Sequence, residues 1–335
     1  MVSQQERIAG GLYGLLVGDA LGVPYEFYEA EELPVYEEIE MEPPSGFRKT
    51  YPRVAAGTWS DDGAQALCLM DSLLRHGMFS LKAYSDALLS WYEDGFWAVD
   101  GVVFDVGIQT ANALGAYKRG IPAKDCGWIN PEGKGNGALM RVLPLALWHF
   151  VQGDTDPEKR NRELVRDAHS QCLITHGNLC NQVCSALYCL VAQALHEGME
   201  AREAIQEGVH VLRSIYREEP EYERELEWSV RPDIPWEGKG TGYVVDCLRS
   251  AFMILEQASD YEDAVKRAVL LGHDTDTTAC VTGGLAGIRY GLQGIPKRWL
   301  KALKEREKVE HLLGLLFHKE EQGQEICQCR SEPPS

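Results

Sequence analysis

The periodicity of this chain constrains its fold most: apolar residues recur at helical spacing almost throughout, and strand alternation is nearly absent. Residues 64–76, "AQALCLMDSLLRH", set Ala66, Leu67, Met70, Leu73 and Leu74 on one face, the i, i+3, i+4, i+7 stripe of an amphipathic helix. Comparable stripes run through "LKAYSDALLSWYEDG", "GALMRVLPLALWHF", "LCNQVCSALYCLVAQALHEG", "AREAIQEGVHVLRSIYRE", "VVDCLRSAFMILEQA", "YEDAVKRAVLLG" and "PKRWLKALKEREKVEHLLGLLFH". No repeat of fixed length recurs, which excludes a solenoid. With 335 residues, 44% of them hydrophobic, the chain can bury a large core without disulfides or a structural metal. The prediction is an all-α fold: one large compact helical domain over residues 1–318, followed by a polar, disordered tail over 319–335.

Two excursions interrupt the helices. Residues 29–56 are acidic and Pro-containing and read as a lid or a loosely ordered connection. Residues 218–242 form the second, with Trp228 and Trp236 expected to cover it.

Charge and cysteine usage narrow the function. Lys+Arg 33 against Asp+Glu 51 leaves −18, and no run of five basic residues exists, which argues against a nucleic-acid partner. A small phosphorylated ligand stays open if metal ions or helix N-termini supply the positive field. The ten cysteines include no C-x-x-C pair and sit mostly in apolar helical stretches, as buried reduced thiols do. The N-terminus lacks a basic leader, and its apolar stretch is broken by glycines and Asp19. No membrane span is expected, and the default location is the cytoplasm.

Acids, hydroxyls and glycines concentrate in four short stretches: "GDALGVPYEF" (18–27), "GTWSDDGAQ" (57–65), "GKGNGALMR" (133–141) and "GHDTDTTAC" (272–280). Ser60, Asp61 and Asp62 precede an apolar stripe, where helix-capping residues belong. Asp274 and Asp276 stand at the start of another helix. Capping explains one hydroxyl and one acid at each, whereas a second acid adds repulsion. Two such helix starts meeting in a dry core would require cations between them, and carboxylate and hydroxyl oxygens suit Mg²⁺ or Mn²⁺. The Asp-Asp-x-x-Asp motif of isoprenoid synthases is not met, because Gln65 occupies the last position.

Taken together, these stretches resemble the ADP-ribosylglycohydrolase family, which includes dinitrogenase reductase-activating glycohydrolases and ADP-ribosylarginine hydrolases. The likeness covers about residues 8–295 through "GLLVGDALGVPYEF", "GTWSDDGAQALCLMDSL", "FDVGIQTANAL", "GNGALMRVLPLAL", "ITHGN", "GTGYVVDCLRSAF" and "LGHDTDTTACVTGGLAGIRYG", in the family's order. It implies an all-α fold around a cleft holding two Mg²⁺ or Mn²⁺ ions. The activity implied is hydrolysis of the C1″ bond joining ADP-ribose to an acceptor, most readily arginine on a protein. The implied metal ligands are Ser60, Asp61, Asp62, Asp274, Asp276 and Thr277. Glu26 is the implied acid–base group, with Asp61 and Asp276 sharing the catalytic centre. Gly135, Asn136 and Gly137 correspond to the loop that approaches the diphosphate, and Tyr243 to a ring stacking on the nucleotide. Asp105, His176 and His273 complete the expected ligand-binding set. Paired ions can orient a cis-diol and activate water, and carboxylates can manage an oxocarbenium-like state.

This chain departs from the family pattern at Ser60 and Gly63, where Thr is common, at His273, where many relatives carry Gly, and at Asn178. His273 is the expected source of substrate preference. Arg141 is expected either to pair with an acid or to touch phosphate. The partner is then an ADP-ribosylated protein or a small adduct such as O-acetyl-ADP-ribose. Two alternatives remain: a non-catalytic binding protein of this fold, and an immunity protein that occludes a toxin through residues 29–56.

Overall fold

A computed structural model describes the backbone of residues 2–331 and the side chains of residues 2–318. The expected disordered tail, 319–335, lies outside the residues described in full. The helical stripes become α1 (Gln4–Gly22), α2 (Asp61–His76), α3 (Leu81–Asp94), α4 (Ile108–Lys118), α5 (Leu143–Gln152), α6 (Pro157–Cys172) and α7 (Leu179–His196). They continue with α8 (Ala201–Tyr216), α9 (Pro220–Arg224), α10 (Val244–Gln257), α11 (Tyr261–Val269), α12 (Thr275–Tyr290), α13 (Lys297–Ala302) and α14 (Arg306–Ser331). Among the described residues the only β pairing is an isolated bridge between Gly135 and Tyr243. The all-α prediction holds.

At the centre, α1 and α12 run antiparallel in the most extensive helix–helix contact of the described residues. Gly10, Gly14, Gly18 and Gly22 recur every fourth residue and so share one face of α1. A Cβ at Gly18 would lie 2.0 Å from the carbonyl oxygen of Ala279, and one at Gly14 would lie 2.3 Å from that of Gly283. The approach is mutual, since a Cβ at Gly287 would stand 1.9 Å from the Gly10 carbonyl oxygen. Tyr261 braces the seam by donating its hydroxyl to Gly14 O at 2.7 Å, and Tyr188 does so to Val281 O at 3.0 Å. By length and composition Gln4–Tyr25 is apolar enough to cross a membrane, contrary to the sequence reading, yet from Ile8 onward it is enclosed by the rest of the protein.

This seam sets the end of α1, and hence Glu26, beside the start of α12. Backbone bonds lace the neighbouring loops to it. Phe27 N–H donates to His273 O at 2.6 Å, and His273 N–H donates to Tyr28 O at 2.7 Å. Asp274 N–H reaches Gly240 O at 3.0 Å, and Asn136 N–H reaches Gly242 O at 3.0 Å. From the other side Asp19, buried in α1, accepts the N–H groups of Ser60 (2.9 Å) and Gly63 (2.8 Å), which fixes the first turn of α2.

Several local expectations change. Residues 29–56 are anchored rather than loose: Ile39 and Met41 are buried, and Glu40 accepts from Arg298 at 2.8 Å and from Trp299 Nε1 at 2.5 Å. In the second excursion Trp236 packs against the Arg249 guanidinium at 4.9 Å, whereas Trp228 is 80% exposed and covers nothing. The stripe over 296–318 divides into α13 and α14 because Lys304 N–H turns to donate to Gly57 O at 2.9 Å. Helix α6 escapes the apolar pattern because it is mostly charged or polar, burying a narrow apolar line of Leu164, Val165, Ala168 and Cys172. Eight cysteines are described, all free and buried, while Cys327 and Cys329 lie outside the described side chains.

The seam predicts a contrast between two helical glycines. Gly18→Ala is expected to destabilise by about 3 kcal/mol or more, since the backbones must separate. Gly314→Ala, whose Cβ would meet nothing within 4 Å, is expected to gain roughly 0.5–1 kcal/mol. Chemical denaturation of both variants checks this; equal effects would contradict the close approach.

Candidate active site

The two acid-rich helix starts do meet. They face a cleft of about 420 Å³ whose lining includes Glu26, Asp61, Asp62, Asp105, Asp274 and Thr277. A larger surface groove, about 710 Å³, lies between α8 and residues 232–236. Its Arg202 is paired with Glu256 and its Arg213 with Glu227 and Asp233, so it gathers no comparable unpaired charge. The chemistry belongs to the smaller cleft.

Capping does not account for the acids. At α2, Ser60 Oγ accepts from Asp62 N–H at 3.2 Å and Asp19 accepts from Ser60 N–H and Gly63 N–H, so capping falls to Ser60 and Asp19 rather than to the Asp61 or Asp62 carboxylate. Asp61 Oδ2 instead accepts from Gln65 Nε2 at 2.9 Å. At α12, Asp274 stands in the capping position without a side-chain capping bond, and its Oδ2 accepts from Asn136 Nδ2 at 2.8 Å. Thr277 Oγ1 lies 3.5 Å from Asp62 Oδ1, joining the two helix starts. Capping by "GHDTDT", the simpler sequence reading, survives in part, because Asp276 Oδ1 accepts from Thr277 N–H at 2.8 Å while Asp274 turns its carboxylate to the cleft.

Two buried carboxylate oxygens, Asp62 Oδ2 and Asp276 Oδ2, have no hydrogen-bond partner. One oxygen each from Glu26, Asp105 and Asp276 lie within 4.8 Å of one another. Orphaned buried oxygens among like charges are costly unless protonated or bound to cations. The all-oxygen donor set, with no thiol or imidazole in it, fits hard divalent cations rather than zinc.

Electrostatics carry the same signature. Burial, reinforced by Asp105 and Asp274, pushes Glu26 up to about 9. Burial pushes Asp19 up to about 7, and holds Asp61, Asp62 and Asp276 well above the usual carboxylate range, with neighbouring acids adding to the effect. Asp105 is raised by burial and by Asp274. Tyr51 donates its hydroxyl to Glu26 Oε2 at 2.8 Å, so the 29–56 excursion contributes directly to the site.

The remaining expected residues divide. Gly135, Asn136, Gly137 and His176 line the cleft. Tyr243 and His273 do not belong to its lining. Tyr243 is 41% exposed and pairs through its backbone with the glycine loop, whereas His273 points Nδ1 towards Glu29 Oε2 at 3.7 Å. Ser60 lies just behind the lining, engaged as the helix cap. Arg141 neither pairs with an acid nor reaches the cleft surface: it is fully buried among Gln65, Gln171 and Thr175. Sequence reasoning missed Asp19, Tyr51 and Gln65 as parts of the site. Asp19 carried a usable signal, being the lone charged residue in the apolar, glycine-faced run from Ile8 to Gly22.

Comparison with known proteins agrees with this geometry. The ADP-ribosylglycohydrolase family profile matches residues 1–325. The chain is 29% identical over 331 residues to the ADP-ribosylarginine hydrolase Tri1 of Pseudomonas putida (strain GB-1), covering 96% of this chain and 80% of that one. It is 27% identical to the ADP-ribosyl-dinitrogen reductase glycohydrolase of Rhodospirillum rubrum, covering 93% and 97%. A solved structure titled ADP-ribosylglycohydrolase-related protein complex superposes with a TM-score of 0.73 at 30% identity, over 95% of this chain and 99% of that one. The match along nearly the whole length, over a cleft that collects the family's acid motifs, means that this chain belongs to the ADP-ribosylglycohydrolase family of enzymes.

Proposed function

We propose that this protein removes mono-ADP-ribose from arginine by hydrolysing the C1″ glycosidic bond, using two Mg²⁺ or Mn²⁺ ions, and that it acts in the cytoplasm. The observation that carries the reading is the pair of orphaned oxygens, Asp62 Oδ2 and Asp276 Oδ2, within a buried acid cluster. The activities for which the Pseudomonas and Rhodospirillum relatives are named support the substrate class. Ser60, Asp61, Asp62, Asp274, Asp276 and Thr277 would hold the ions. When bound, such ions supply Lewis-acid stabilisation and an activated water at neutral pH.

The chain's own groups do the rest. Burial and the surrounding acids favour the protonated form of Glu26, the form that a general acid for the departing guanidine nitrogen requires. Tyr51 orients that carboxyl through Oε2. The glycine loop lines the cleft, where a diphosphate would lie along it; the missing side chains at Gly135 and Gly137 make way for Gln109 and His176, and Asn136 braces Asp274. Asp105 faces the centre from the opposite loop with φ 54, a left-handed conformation that aims its carboxylate inward.

Two measurements test this. With ADP-ribosyl-arginine as substrate, release of free ADP-ribose is expected to require Mg²⁺ or Mn²⁺ and to stop in EDTA. Asp61→Ala and Asp276→Ala are expected to lower kcat/KM by roughly three orders of magnitude, about 4 kcal/mol of transition-state stabilisation. Full turnover after chelation would overturn the metal reading.

The second measurement is the pH dependence of stability. Glu26 and Asp19 have folded-state values near 9 and 7, above their unfolded values of about 4.3 and 3.9. Between those limits the folded chain binds more protons than the unfolded chain, so stability present below about pH 4 is lost as pH rises. In EDTA the Tm is expected to fall between pH 5 and 9, and saturating Mn²⁺ to flatten that fall. A Tm that climbs with pH in EDTA would contradict the buried acid cluster.

A further inference from the structure

Arg141 is the largest charged side chain wholly inside the described protein. Its guanidinium donates four hydrogen bonds, and all four end on neutral oxygens. A guanidinium carries five N–H donors and no acceptor, so it dictates the orientation of every group it touches. Gln65 must face it with Oε1, which accepts from Nη1 at 2.6 Å. The Gln65 amide nitrogen is thereby turned the other way, and it donates to Asp61 Oδ2 at 2.9 Å. Gln171 obeys the same rule, accepting from Arg141 Nε at 3.2 Å through Oε1 and donating from Nε2 to Ala138 O at 3.0 Å.

The second arm runs through Thr175. Its Oγ1 accepts from Arg141 Nη2 at 2.7 Å and lies 2.7 Å from His176 Nδ1. Among the described contacts, His176 Nδ1 is the acceptor available to the Thr175 hydroxyl proton. Nδ1 then accepts, and the imidazole carries its proton on Nε2. That edge faces the glycine loop: a Cβ at Gly137 would lie 3.0 Å from Nε2, and one at Gly135 would lie 3.6 Å from it.

We infer that Arg141 is a positioning residue that sets two walls of the cleft at once. Through Gln65 it commits Asp61 Oδ2 as a hydrogen-bond acceptor and so fixes the orientation of that carboxylate at the edge of the cleft, and through Thr175 it fixes His176 as an Nε2–H donor. The oxygen received there belongs to the ligand lying along the glycine loop, a phosphate or ribose oxygen of the ADP-ribose. Burial and the nearby guanidinium push His176 down to about 3, so the ring stays neutral and keeps one defined tautomer. The inference rests on the cleft being the active site, and its two arms are read without turnover.

Long-range ¹H–¹⁵N correlation of the histidine rings, with His176 assigned by comparison with His176→Gln, reads the first arm. The wild type is expected to show the Nε2–H tautomer throughout pH 5–8, Thr175→Val to lose that single form, and Thr175→Ser to restore it. Calorimetric Mn²⁺ titration reads the other arm: Gln65→Met is expected to raise the Kd about tenfold or more, and Thr175→Val to leave it unchanged. Arg141→Lys, which keeps the charge and loses the fork, is expected to move both; if it fails to fold, the single-arm variants decide. An Nδ1–H tautomer in the wild type, or Mn²⁺ binding by Gln65→Met equal to wild type, would overturn the inference. Absence of Mn²⁺ binding by the wild type would instead overturn the metal reading, leaving the tautomer to decide for Arg141.

Discussion

Everything about the site depends on how closely α1 and α12 approach. Ordinary helix pairs pack their axes 8–10 Å apart because side chains fill the gap. Here glycines on both helices remove that gap along four turns, and backbone meets backbone. The gain is dispersion contact over a long, dry seam, while the cost is the extra backbone entropy of helical glycine, roughly 1 kcal/mol each. The seam also has a geometric product. It fixes the axial register of α1 against α12, and so it fixes where the chain leaves α1 at Glu26 relative to where it joins α12 at Asp274.

The acid cluster that results runs against the usual preference of a protein interior. Carboxylates so close together repel, and burial raises the cost of ionising each one. The chain does not relieve this with arginine or lysine: the charged neighbours acting on Glu26, Asp61 and Asp276 are themselves acids. At α2 it also withholds relief from the helix start, because Asp19 and Ser60 take the N–H groups of Ser60, Asp62 and Gly63. Asp61 and Asp62 are thereby freed from capping. The arrangement becomes economical only with cations present, which links metal binding to stability as well as to catalysis.

Much of this was legible in the sequence, and the reasons for success and failure differ. Helical period marked most helices because apolar stripes report burial directly. The excess of acids in "WSDD" and "HDTDT" pointed to the site because a second acid has no capping use. Asp19, Tyr51 and Gln65 stayed hidden because their roles are long-range. Asp19 meets Ser60 across 41 residues, and Tyr51 reaches Glu26 from a segment whose composition suggested a loose lid. Arg141 was misread because a buried arginine suggests an acid partner, whereas its charge here is spread over amide, carbonyl and hydroxyl oxygens.

At His273 the departure from the family pattern coincides with an unusual backbone conformation. Its side chain suggested a determinant of substrate choice, yet it lies outside the cleft lining and leans towards Glu29. The backbone explains the position better. His273 has φ 59 and follows Gly272 at φ 76, so the chain makes two consecutive left-handed residues just before Asp274. Such a conformation favours glycine, the residue many relatives carry there, and it costs a non-glycine residue on the order of 1–3 kcal/mol. Phe27, its partner in backbone pairing, is also left-handed at φ 66. The hydrogen bonds from Phe27 N–H to His273 O and from His273 N–H to Tyr28 O hold that strained geometry. What the backbone of this locus supplies is the turn that delivers Asp274 and Glu26 to the same cleft.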